Sequence, residues 1–257
     1  KVCPEVTEWR NYVKVPDLVA NCSEGWEPAL ELKEEIHKKG QLAMGFMGTG
    51  IFEQCHYLMG FEDTLVNLLA EPDDMHELVD AIAEYRFTYA KLLVDNLHPD
   101  AILSHDDWGA KTSLFMNPDT WREYFKEPYR KIYGYMRDNG VIVAHHADSY
   151  CEPIAEDMAE VGVQIWQGVL PSNDIVAMQK KLDGKMVFMG GIDAAKVDRA
   201  DSSEEEIRAE VRRACETYAP GGHFIPCLTY GLKDSGIFPG VDRIIEDEVE
   251  RYNQEHA

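Results

Sequence analysis

The side chains able to do chemistry gather in three short runs: His105, Asp106 and Asp107; His145, His146 and Asp148; and Cys227. Imidazole, carboxylate and thiolate are the ligands that zinc accepts, and the first two are also the commonest general acids and bases. Alternation along a strand puts His105 and Asp107 on one face and His146 and Asp148 on one face, with Asp106 and His145 pointing the other way. Neighbouring polar groups at a strand end are costly to bury unless they bind something or pair with each other. Each run also has a plainer reading. His105 to Asp107 could form an ion pair with Lys111 or a neighbouring strand, Cys227 could be a small buried hydrophobe, and His145 is expected to pack against a helix. Glu53 reads as a pocket acid or, better, as a first-turn helix residue favoured by the dipole. Gly190 and Gly191, ahead of Asp193, suit close packing or backbone approach to a ligand.

Short apolar runs, each followed by a turn and an amphipathic stretch, must position these groups. They lie at residues 41–48, 101–108, 141–148, 163–169, 185–193 and 223–228. Repeated βα units predict an α/β fold with a parallel sheet. The polar residues fall where several different strands end, which favours a (β/α)8 TIM-barrel type over an open doubly wound sheet. Neither a dinucleotide-binding glycine fingerprint nor a phosphate-binding P-loop occurs. Asn117 and Asp174 are expected helix N-caps, Gly140 a helix end, and Ser202 to Glu206 a solvated helix start. Phe46, Met47, Phe188 and Met189 are expected in the core. Residues 1–40 are expected as an irregular segment with one helix near Pro28 to Lys39, ahead of a βα-repeat domain over 41–257; a barrel would then be two strands short.

The chain has 257 residues, 47 acidic against 25 basic, for a formal charge of −22. Such a balance repels phosphate backbones and anionic lipid surfaces, so neither nucleic acid nor membrane is expected as a partner. The six cysteines are spread along the chain and read as free thiols or ligands in a reducing compartment, and a cytoplasmic location is expected.

The runs DDWGAKTSLFMNPDTWREYFKEPYRKIYGYMRDNGVIVAHHADSYCEPIAEDMAEVGVQIWQGV, GKMVFMGGIDAAKV and APGGHFIPCLTYG resemble the uroporphyrinogen decarboxylase superfamily, over most of the chain from Val2 to Tyr252. That superfamily includes the haem-pathway decarboxylase and zinc-dependent, corrinoid-linked methyltransferases. The resemblance implies a (β/α)8 domain whose N-terminal strands lie outside this sequence, completed by a missing segment or a partner chain. Its methyltransferase branch carries a His-x-Cys zinc motif and a later Cys. His146, Asp148 and Cys227 match those positions, with Asp148 replacing a Cys. The resemblance thus implies Zn2+ on His146, Asp148 and Cys227, and catalytic roles for His105, Asp106 and Asp107. Gly190, Gly191 and Asp193 would contact the cofactor, a cobamide carried by a separate corrinoid protein. The decarboxylase branch needs arginines for a polycarboxylate, and none of the eleven here ends a predicted strand. Zinc-assisted methyl transfer between a small methylated donor or thiol and a cobamide is therefore the expected function. The alternatives are a cofactor-free decarboxylase and a catalytically silent binding subunit for a corrinoid protein.

Overall fold

The structure, a computed structural model, describes residues 1–230 and 236–256. Six strands alternate with helices: β1 (Met44–Met47), β2 (Ala101–His105), β3 (Ile142–His146), β4 (Ile165–Val169), β5 (Val187–Ile192) and β6 (Phe224–Leu228). They form one sheet in chain order, parallel at the β1–β2, β4–β5 and β5–β6 pairings. This is the predicted α/β pattern, each strand falling inside its predicted run. Residues 1–40 hold more helix than expected: besides Glu27–Lys38 there are single turns at Val6–Glu8, Trp9–Tyr12 and Leu18–Asn21. A single turn leaves no apolar periodicity to read, which is why the sequence shows only the longer helix.

The chain divides into two compact units. The first comprises Lys1–Trp108, Phe115–His145 and Glu160–Val163. Its core is aromatic: Trp108, Trp121, Phe125, Tyr129 and Tyr133 are all fully buried. On β1, Met47 is fully buried while Met44 and Phe46 are exposed, so Phe46 departs from its expected place in the core. Among the described residues β1 ends the sheet order, and a residue there has one neighbouring strand against which to pack. Asn117 caps its helix as predicted, its side chain accepting the Asp119 N–H, and Gly140 (φ 78°) follows the helix Glu127–Asp138.

The second unit comprises Gly109–Leu114, His146–Ala159 and Gln164–Ala257, with Trp166, Phe188, Ile192, Val211 and Leu228 in its core. Asp174 caps the helix Ile175–Leu182. Ser203 and Glu206 close a capping box at the start of Glu204–Tyr218, inside the predicted acidic run. β4 carries a bulge: its register with β5 shifts between Gln167 and Val169, and Gly168 adopts φ 95°. A Cβ there would meet the Thr229 carbonyl at 2.8 Å and the Asp148 N–H at 3.0 Å, so only glycine lets these strand ends come together. No described helix is long and apolar enough to cross a membrane.

Candidate functional site

In the first unit the strand ends are organised around Asp106, fully buried just past β2. Its carboxylate accepts the backbone N–H groups of Phe52 (3.0 Å) and Glu53 (2.9 Å), the Trp108 indole N–H (2.9 Å) and the Tyr129 hydroxyl (2.6 Å). The helix Ile51–Met59 starts from Gly50, which has no side chain to cap it. Asp106 supplies the cap from another strand, the Tyr129 hydroxyl accepts the Ile51 N–H, and Glu53 accepts the Gly50 N–H, which together satisfy the first-turn donors. The approach is so close that a Cβ on Gly50 would fall 2.0 Å from Asp106. Burial, then the neighbouring Glu53 carboxylate, pushes the Asp106 carboxyl up to about 6.

Glu53 is therefore both a first-turn residue and a polar group of the strand ends: its carboxylate meets His105 Nδ1 at 2.7 Å. Burial alone would raise Glu53, but the hydrogen bond and charge of His105 hold it below its ordinary value. His105 is raised in turn, first by that hydrogen bond. His145 is buried as expected, stacked on Trp108 at 4.1 Å between centroids, with Nδ1 against the Tyr133 hydroxyl and Nε2 against the Asp106 carbonyl. Asp107 is half-buried.

The Glu53–His105 pair sets a pH dependence. Glu53, depressed by folding, contributes stability above its unfolded pKa of about 4.3, lost as pH falls through its folded value; His105, raised, contributes fully below about 6.5, lost as pH rises through its folded value. The stability gap between wild-type metal-free protein and Glu53→Gln is therefore expected to be widest between about pH 4.5 and 6.5 and to shrink on both sides. Urea unfolding across pH checks this, and a gap that keeps growing toward pH 9 would contradict it.

Two of the eleven arginines reach strand residues from their helices. Arg86, in the helix Pro72–Leu97 and only 2% exposed, donates to the carbonyls of Met47, Gly48 and Thr49 at the end of β1 and to the Ser104 hydroxyl. In the second unit Arg213 donates to the Gly191 carbonyl and pairs with Glu210. Both guanidiniums bind acceptors of the protein itself. Separations of 18 to 39 residues in sequence hide such reach, because a long side chain on a packed helix crosses to the next layer.

In the second unit His146, Asp148 and Cys227 do not bring one donor atom each within 4.8 Å of one another. β3 and β6 are separated in the sheet by β4 and β5, and the residue that spans the gap is Gln167 on β4. Its side-chain oxygen is the partner of His146 Nδ1, and its amide is hydrogen-bonded to the Cys227 thiol. Burial pushes that thiol up to about 12, against the lowering effect of Gln167. Sequence reasoning passed over Gln167. The available signal was one amide in the apolar run Ile165 to Val169, directly before a glycine.

Gly190 and Gly191 are buried, with φ 148° and 75°; their Cβ atoms would strike the Val169 backbone at 2.7 Å and the Phe224 and Tyr218 rings at 2.9 to 3.0 Å. Asp193 caps the turn Ala194–Val197 and donates its own N–H to Glu210. Next to it lies a cavity of about 460 Å3 lined by Lys111, Asp148, Ser172, Asp193, Asp198 and Tyr230, among others. Asp198 is buried and holds the cavity wall together, accepting the Tyr230 hydroxyl and the Ile237 and Phe238 N–H groups. Lys111 is the only cation among the described lining residues. The volume suits a small molecule.

No curated protein matches the sequence. Among solved structures, a methyltransferase from Methanosarcina mazei superposes with a TM-score of 0.70 at 19% identity, covering 99% of this chain and 71% of that one. A dihydropteroate synthase from Anaplasma phagocytophilum with bound 6-hydroxymethylpterin-monophosphate gives 0.46 at 16% identity, over 72% of this chain and 70% of that one. The first of these shares the fold, so the βα repeat is of the TIM-barrel type the strand-end chemistry predicted. Residues 8–233 match the family model described as uroporphyrinogen decarboxylase (URO-D); with that span covering most of its length, this chain belongs to the URO-D family.

Proposed function

We propose that the chain is a corrinoid-linked methyltransferase, moving a methyl group between a small donor or thiol acceptor and the cobalt of a cobamide on a separate corrinoid protein, with zinc assisting. The observation that carries the reading is the state of two strand-end histidines. His105 is held through Nδ1 by Glu53, and His146 through Nδ1 by Gln167. Ligating histidines are held in this way by an outer partner on the second ring nitrogen. Donors of the kinds zinc accepts stand at the ends of β2 and β3 in His105, Asp107 and His146, with Asp148 and Cys227 as the donors the motif suggests. Zinc bound by such residues would supply Lewis-acid chemistry, holding a thiol as thiolate or polarising a donor oxygen.

The protein's own groups supply the rest. Asp107 orients the substrate or relays a proton, and Asp106 holds the helix start that carries Glu53. The cavity beside Asp193 admits the small substrate. Its carboxylates oppose a polyanion: at an effective dielectric of 20, each like-charge pair at 4 Å costs about 4 kcal/mol. A neutral or singly charged methyl compound escapes that cost.

Purified protein is expected to hold about one equivalent of zinc, to lose it in His146→Ala, and to turn over with a methylated corrinoid. Metal analysis of His105→Ala, Asp107→Ala, Asp148→Ala and Cys227→Ala then identifies the remaining ligands. Micromolar binding of uroporphyrinogen with carbon dioxide release, indifferent to chelators, would replace this reading with the decarboxylase. Corrinoid-protein binding with no turnover would replace it with a silent binding subunit.

A further inference from the structure

Register pairs Gln167 with Met189 on β5, Met189 with Ile225, and Gly191 with Cys227 on β6. Paired residues share a face, and so do residues two apart, so Gln167 and Cys227 lie on the same side of the sheet. Between them β5 offers Gly191, whose Cβ direction points away, at Phe224 and Tyr218. The β5 residue paired directly with Cys227 therefore adds no side chain beside it, and the Gln167 amide can cross the strand. The bulge at Gly168 follows immediately and re-aims the end of β4, as bulges near functional residues do. Gln167 is 1% exposed and His146 is 7% exposed, so the orientation of both is set by protein contacts rather than by bulk water.

An amide has one accepting oxygen and a donating NH2. With the oxygen facing His146 Nδ1, the nitrogen faces Cys227, consistent with a hydrogen bond that favours the thiolate. We infer that Gln167 is the positioning residue of the strand-end chemistry, fixing neutral His146 as the Nδ1–H tautomer, with its lone pair on Nε2, while donating to the Cys227 sulfur. The inference names a role for a residue outside the metal motif, and its link to zinc rests on the methyltransferase reading above. A glutamine suits this better than a carboxylate here. It orients the imidazole as acceptor without adding charge, and it serves the sulfur as donor, which a carboxylate cannot do.

The test has two readouts on full-length protein. In metal-free protein, 15N NMR of the histidine ring nitrogens, with His146 identified by its loss in His146→Gln, is expected to show Nδ1–H. Gln167→Leu removes the acceptor and is expected to shift His146 to the other tautomer or to a mixture; Gln167→Glu, which still accepts, keeps Nδ1–H. Zinc titration against a chelator is expected to show about 10- to 100-fold weaker binding in Gln167→Leu. Should that variant fail to fold, Gln167→Asn, one methylene too short to reach both partners, takes its place. Nε2–H in the wild type, or an unchanged tautomer in the variant, overturns the inference. If the wild type binds no zinc, the metal reading falls, while the tautomer result still decides the role of Gln167.

Discussion

Asp106→Ala is expected to lose about 3–5 kcal/mol of stability, a large share of what a domain has. The change strips the acceptor from four donors at once: two helix-start N–H groups, the Trp108 indole and the Tyr129 hydroxyl. Each buried donor left unmet costs about 1–3 kcal/mol, so the gross loss is about 4–12. Against it stands the cost of burying the carboxylate, expressed in its rise from 3.8 to about 6, which corresponds to about 3 kcal/mol. The hydrogen bonds win, because partial relaxation recovers only part of the gross loss and the methyl group leaves a polar hole. The helix start should fray with it, carrying Glu53 away from His105. Urea unfolding reads the loss, and a change below about 1 kcal/mol would mean that the helix Ile51–Met59 is capped by something other than Asp106.

Arg86→Met is expected to lose about 2–4 kcal/mol. The side chain keeps most of its apolar stem but leaves three carbonyls at the end of β1 without their donor, those of Met47, Gly48 and Thr49. Thr49 adopts φ 45°, a left-handed conformation uncommon for a non-glycine residue, so the turn depends on outside support. Relief from burying a cation offsets some of the loss, and the buried Nε, which has no partner, marks how far the site falls short of full satisfaction. Arg86→Lys keeps the charge with a single donor centre in place of a fork, and is expected to recover less than half. Thermal and urea unfolding distinguish the two. Equal stability of Arg86→Met and wild type would show that the turn holds itself.

Much of the architecture was legible without coordinates because it is local. Strands announce themselves by short apolar runs, and caps such as Asn117, Asp174 and Ser203 by the side chain that satisfies the next N–H groups, two or three residues on. The strand-end location of His105, Asp107, His146 and Asp148 follows from the same pattern, as does the packing of His145 against a helix. The alternation of side chains assigned faces without any knowledge of neighbours. The family followed from the order of landmarks.

Contacts between residues distant in sequence were decided by tertiary structure alone. Asp106 looked like one more strand-end acid, yet it caps a helix that begins 55 residues earlier, because β2 runs beside β1 and Gly50 leaves room for a carboxylate. Arg86 looked helical and remote, yet it serves the carbonyls of β1 across a layer. His146 and Cys227 match one motif in sequence, but their connection through Gln167 on the strand after β3 appears only in the folded sheet. The physical reason is common to all three. Sequence spacing specifies direction within one element, while a polar group's partner depends on register, bulges and the side chains missing from the strand between, and these exist only once the sheet has formed.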